Sequence, residues 1–111
     1  MSSNNQKIYI IAIGGAVMSS LAVALKKRGM TVAGSDDKIY DPAASLLNSN
    51  GLLPAQMGWD ANRIDSSIDA VIVGMHAKAD NPELLKAQAL GIKIWSYPEF
   101  IRSQADNKQR I

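Results

Sequence analysis

The fold class this sequence predicts is α/β: an open parallel sheet of about five strands with helices on both faces. Three observations carry it. Short apolar runs rich in β-branched residues alternate with stretches of helical periodicity along the 111-residue chain. Helix starts carry cap-and-proline or capping-box grammar, and helix ends carry glycine. The connections are short, and the length suits one domain with a real core rather than two.

Residues 1–6, MSSNNQ, are polar and read as a disordered lead-in without the apolar core of a signal peptide. KIYIIAI (Lys7–Ile13) is an almost unbroken apolar run, as expected of a strand buried on both faces of a parallel sheet. Val17, Met18, Leu21, Ala22 and Leu25 then fall on one helical stripe. Lys26, Lys27 and Arg28 complement the dipole at that helix's end, and Gly29 caps it. TVAGS (Thr31–Ser35) is the second strand.

Asp41 as N-cap and Pro42 at the first helical position open the next helix, which buries Leu46 and Leu47 and ends at Gly51. LLPAQMG reads as a short strand, although Pro54 bars it from the middle of a sheet. DANRIDSSI is a loop or a single helical turn. AVIVG (Ala70–Gly74) is the next buried strand. Asn81, Pro82 and Glu83 then start a helix that Gly91 ends. KIWS is the last strand. Ser96 and Glu99 form a capping box for a final helix from Pro98 to about Gln104. The globular domain is therefore expected over residues 7–104, with 105–111 as a polar tail.

Composition excludes several classes of function. Twelve Lys and Arg against ten Asp and Glu give a net charge of only +2, and the basic residues form neither a nucleic-acid stripe nor a polybasic membrane patch. With no cysteine there is no disulfide, thiolate metal site or cysteine nucleophile, which suits the cytoplasm. No apolar run reaches the roughly 18 residues of a membrane span.

In such a sheet ligands bind beyond the carboxyl ends of the strands, where strand order reverses. Three loops there are candidates. IGGAVMS has glycines whose backbone N–H groups can approach an anion, at a helix N-terminus that favours negative charge; a plain strand-to-helix turn is the alternative. It departs from the dinucleotide fingerprint, because the three glycine positions hold Ala12, Gly14 and Val17. GSDDKIYDP places Asp36 about 20 residues after Gly14, where an acid meets a ribose hydroxyl in nucleotide-binding folds. Asp36 and Asp37 read equally as solvated loop carboxylates. GMHAKADNP holds the only histidine, His76, with Lys78, Asp80 and Asn81, suited to a sugar or phosphate; a lone histidine without Cys or Glu is no metal site. There is no nucleophile–base pair and no G-K-[ST] loop, so no catalytic residue and no metal ligand is assigned.

The three loops, in this order, resemble the N-terminal domain of the Mur ligases that act on UDP-N-acetylmuramic acid, which add either L-alanine or, in a recycling branch, L-alanyl-γ-D-glutamyl-meso-diaminopimelate. The family's turn reads roughly G-I-G-G-x-G-M-S, and this chain keeps Ile13, Gly14, Gly15, Met18 and Ser19. Gly34, Ser35 and Asp36 match its GSD, and Asp80, Asn81, Pro82 and Glu83 match its DNPE. The match runs from about Lys7 to Arg102.

The resemblance implies a Rossmann-like domain holding a UDP-sugar. Gly14, Gly15, Ala16, Val17 and Met18 would cradle the pyrophosphate. Ser35, Asp36 and Asp37 would meet the uridine end, and His76, Ala77, Lys78 and Asn81 would lie near the nucleotide-sugar. Val17 in place of the third glycine is expected to push the helix outward; Ala12 in place of the first is expected to be harmless. YDPAASLL and GWD (Gly58–Asp60) resemble the tripeptide-adding branch, slightly favoured over the L-alanine branch. The family's central domain carries ATP and Mg, and ATP phosphorylates the muramyl carboxylate before the acceptor amine attacks. Residues 105–111 would then begin a linker towards that domain, and the isolated domain would hold substrate without catalysis. Two other readings remain: an NAD-binding module of a dehydrogenase or channel regulator, and an α/β interaction domain with no small ligand.

Overall fold

The computed structural model describes residues 6–74 and 77–109, with side chains described as far as Ser103. The elements are β1 (Lys7–Ile11), α1 (Ala16–Lys27), β2 (Thr31–Ser35), α2 (Ala43–Ser49), a 3₁₀ turn (Ala61–Arg63), β3 (Ala70–Val73), α3 (Pro82–Ala89), β4 (Lys93–Ser96) and α4 (Tyr97–Gln109). The sheet runs β2-β1-β3-β4, and every pair is parallel.

β1 explains its own composition. Ile8 and Ile10 face a core shared with Met18, Ala22, Val23 and Leu25 of α1, Leu47 of α2 and Phe100 of α4. Tyr9 and Ile11 face the opposite core, with Val71, Ile64, Ile68 and the α3 residues Leu84 and Ala87. Alternate residues enter opposite cores, so a central parallel strand must be apolar throughout. Helices cover both faces, as expected.

Among the described residues the sheet has four strands rather than five. The missing one is the expected strand in LLPAQMG, where the described backbone is irregular. Pro54 has no N–H to give a ladder. The carbonyls of Gln56 and Gly58 are taken by Arg63 Nη2 at 3.3 Å and Nη1 at 2.9 Å instead. β2 is therefore an edge strand.

Helix starts follow the sequence grammar closely. Asn81 Oδ1 accepts from the N–H groups of Glu83 at 2.8 Å and Leu84 at 3.3 Å, with Pro82 in the first turn of α3. Ser96 N donates to Glu99 Oε1 at 3.0 Å while Glu99 N donates to Ser96 Oγ at 3.3 Å, a reciprocal capping box. α4 starts one residue early, at Tyr97, and continues past the expected end to Gln109. α2 starts at Ala43 with Pro42, not Asp41, at the cap position. Asp41 still tethers that turn, its Oδ1 accepting from Ser45 N at 2.9 Å and Ser45 Oγ at 2.7 Å.

Strand order reverses between β1 and β3: α1 carries the chain outward to β2, and α3 carries it the other way to β4. Their carboxyl ends flank the switch-point crevice. Gly74 is held there by its N–H to Ile11 O at 2.9 Å, and a Cβ on it would lie 3.0 Å from Ala12 Cβ.

Candidate functional site

The site is built from the turn after β1. The chain leaves the strand at Ala12, whose φ of 70° is left-handed. The N–H groups of Ala12 and Ile13 both donate to Ser35 O, at 2.8 and 2.9 Å. Gly14 N then donates to Asp36 Oδ2 at 2.8 Å. Gly15 is the N-cap of α1, in extended conformation, and its carbonyl accepts from Ser19 N at 2.8 Å. It brings no side-chain cap, and the first turn carries no acid. The leading N–H groups of a twelve-residue helix therefore open outward with positive partial charge.

Two clefts meet at Asp36. One, of about 700 Å³, is lined by Gly14, Gly15, Ala16, Asp36, Lys38 and Tyr40 among others. The other, of about 490 Å³, is lined by Ala12, Asp36, Asp37, Trp59, Lys78 and Asn81 among others. Asp41 lines the first; the hydrogen bonds from Ser45 hold its carboxyl below the usual carboxylate range. The structure thus brings together Gly14, Gly15, Ala16, Asp36, Asp37, Lys78 and Asn81 along the carboxyl edge of the sheet.

Other expected site residues lie elsewhere. Met18 is buried in the core beneath α1 and lines neither cleft. Val17 is 53% exposed and lines a separate depression with Leu21 and Tyr97. It does not sit between helix and strand, and the expected outward push on α1 does not arise. Ser35 is fully buried, its Oγ donating to Glu83 on the far side of the sheet. Ala77 packs against the second core. His76 lies outside the described residues.

Asp36 also differs from the expected ribose-binding acid. Its Oδ2 accepts from Gly14 N, and its Oδ1 accepts from Asp37 N at 2.7 Å. Both oxygens hold backbone, so the carboxylate braces the glycine turn. A Cβ on Gly14 would lie 2.7 Å from Asp36 Oδ2 and 2.8 Å from Ile39 Cγ1, which is why glycine stands there.

Sequence reasoning passed over Lys38 and Tyr40, which line the first cleft, and Trp59, which lines the second. The signal was present: Lys38 and Tyr40 lie in the GSDDKIYDP loop already singled out, and a lysine beside a glycine turn suits an anion. Among the described residues no group of three or more His, Cys, Asp or Glu could hold a metal ion. No helix there is long and apolar enough to cross a membrane.

Fold and cleft define the class: an open parallel α/β domain with a glycine turn at its switch point. The chain belongs to the Mur ligase family, because the family profile described as "Mur ligase family, catalytic domain" matches residues 7–109. The UDP-N-acetylmuramate–L-alanine ligase of Caldicellulosiruptor saccharolyticus is 37% identical over 95 residues, 86% of this chain and 20% of that protein. The enzyme of the same name from Carboxydothermus hydrogenoformans is 35% identical over 104 residues, 94% of this chain and 22% of its own length. Among solved structures, the UDP-N-acetylmuramate:L-alanyl-γ-D-glutamyl-meso-diaminopimelate ligase from Neisseria meningitides matches with a TM-score of 0.77 and 32% identity, over 87% of this chain and 30% of that one. The UDP-N-acetylmuramate-alanine ligase of Thermotoga maritima matches with a TM-score of 0.81 and 25% identity, over 93% of this chain and 23% of that one. The chain thus spans about a fifth of the length of the curated relatives it matches.

Proposed function

We propose that this chain is the N-terminal, UDP-N-acetylmuramic-acid-binding domain of an ATP-dependent ligase of peptidoglycan synthesis or recycling. The observation that carries the proposal is the Gly14 turn, braced by Asp36 at the switch point and opening with α1 onto a cleft that holds Lys38. That arrangement offers backbone N–H groups, a helix N-terminus and a cation to a diphosphate. The braced Asp36 counts against the NAD reading, in which the acid must be free for ribose hydroxyls.

The domain's part in the reaction is to bind and orient. Gly14, its N–H already given to Asp36, lets the pyrophosphate approach without a side chain in the way, the uncapped helix start at Gly15 and Ala16 holds it, and Asp36 and Asp37 shape the uridine side. Lys78 and Asn81 approach the sugar from the second cleft. ATP and Mg supply phosphorylation of the muramyl carboxylate in the parts of the relatives this chain does not cover. Residues of this chain do not fit them: the sequence has no G-K-[ST] loop, and the described residues offer no metal cluster. The chain by itself is then inactive, and its setting is cytoplasmic, without nucleic-acid or membrane partners.

For the acceptor, Tyr40–Leu47 and Gly58–Asp60 favour the tripeptide. A second reading, L-alanine, is favoured by the names of the curated relatives. Calorimetric titration with UDP-N-acetylmuramic acid, UDP and NAD tests the proposal. Binding of the first two without NAD is expected; heat with NAD alone overturns it. Once the chain is joined to its ligase partner domains, product formation with either acceptor decides between the two readings.

A further inference from the structure

Glu83 is fully buried and touches neither cleft, yet four groups converge on its carboxylate. Oε1 accepts from Tyr9 Oη at 3.1 Å and from Ser35 Oγ. Oε2 accepts from Asp60 N at 2.9 Å and faces Arg63 Nη1 at 3.4 Å, the two forming an ion pair. A carboxylate so enclosed is costly unless its lone pairs are filled, and here they are. The helix start accounts for an acid at this position only as a partner of the α3 dipole. It does not account for a side chain turned inward to span β1, β2 and the 3₁₀ turn.

Two routes lead from Glu83 to Asp36. The first runs through Ser35, the preceding residue, whose carbonyl also accepts from Ala12 N and Ile13 N. The second runs through Arg63, whose Nη1 also donates to Gly58 O at 2.9 Å, while Gly58 N donates to Asp36 O at 2.9 Å. Asp36 is thus held on both sides of its own backbone, and its carboxylate in turn holds Gly14 N. We infer that Glu83 is a positioning residue for the glycine turn, setting the place of Asp36, and through it of Gly14, without contact to ligand. Its role in substrate affinity rests on the UDP-sugar reading above; its role in placing Gly14 does not.

The test uses Glu83→Gln, which keeps the volume and removes the charge, and Ser35→Ala, which cuts the first route alone. The Gly14 amide proton shift and its exchange protection are read in the ligand-free protein, and UDP-N-acetylmuramic acid affinity is read well below each variant's melting temperature. The inference predicts a displaced, less protected Gly14 amide in both variants. It also predicts a loss of affinity of about tenfold in Glu83→Gln, by analogy with the loss on removing the outer partner of a metal ligand. A purely structural Glu83 lowers the melting temperature and leaves the Gly14 amide and the affinity of the folded protein unchanged; that result overturns the inference. If Glu83→Gln does not fold, the Gly14 amide in Ser35→Ala decides by the same criterion. Wild-type protein that does not bind the UDP-sugar defeats the functional reading, while the Gly14 amide still reports on Glu83.

Discussion

The backbone N–H of Gly14 donates to Asp36 Oδ2 at 2.8 Å, tying the turn after β1 to the loop after β2. The two loops follow neighbouring strands, and both line the mouth of the first cleft. Asp36→Ala is expected to weaken UDP-sugar binding by tenfold or more, because a bond to a charged acceptor contributes about 1.5–3 kcal/mol. The fold should survive, since no core contact is lost. Calorimetry on both proteins checks this, and equal affinities would remove Asp36 from the site.

Gly14 and Gly15 are adjacent but not equivalent. A Cβ on Gly14 meets Asp36 Oδ2 at 2.7 Å, whereas one on Gly15 meets only Met18 Cγ at 3.8 Å. Gly14→Val is therefore expected to abolish binding and to cost about 1–3 kcal/mol of stability, as overpacking does. Gly15→Ala should cost no more than about 1 kcal/mol, the scale of a helix-cap change. Denaturant melts of the two variants give the comparison; the reverse ranking would contradict the geometry.

Ala12 occupies a left-handed conformation at φ 70°, where glycine is the natural residue. From sequence alone alanine is expected to be harmless here; the left-handed φ instead puts strain on it. Relief of roughly 1–2 kcal/mol, set against the greater freedom of glycine in the unfolded chain, leaves Ala12→Gly more stable by up to about 1 kcal/mol. A lowered melting temperature for Ala12→Gly would refute this.

Tyr9 is buried beside Glu83, and burial chiefly, with the neighbouring carboxylate adding, pushes its phenol up to about 12. The folded protein keeps this proton more tightly than the unfolded chain, whose tyrosine titrates near 10. The resulting stability is complete below pH 10 and is lost as pH rises towards about 12, an alkaline loss of up to about 3 kcal/mol. Tyr9→Phe should lack that component. Parallel stability curves for wild type and Tyr9→Phe between those pH values would disprove it.

Much of the fold was legible because its signals are local. Asn81-Pro82 and Ser96-x-x-Glu99 each satisfy helix N–H groups within a few residues, so sequence alone predicts them. The apolar run at β1 is legible because both faces of a central parallel strand are buried. What was not legible depends on partners distant in sequence. Arg63 captures the carbonyls of Gln56 and Gly58, and the expected strand is lost. Glu83 looks like an acid at a helix start until Tyr9, Ser35 and Arg63 are seen around it. Val17 and Met18 share a stripe on paper, yet α1 turns one to solvent and the other inward. In the site, the glycine turn and Asp36 were legible by spacing, but their bond to each other was not.

The most direct test of the central claim is an amide NMR titration of this chain with UDP-N-acetylmuramic acid and, separately, with NAD. The account predicts shifts at Gly14, Gly15, Ala16 and Asp36 with the UDP-sugar and none with NAD. Shifts at those amides with NAD alone, or a UDP-sugar response confined to residues outside the two clefts, would contradict it.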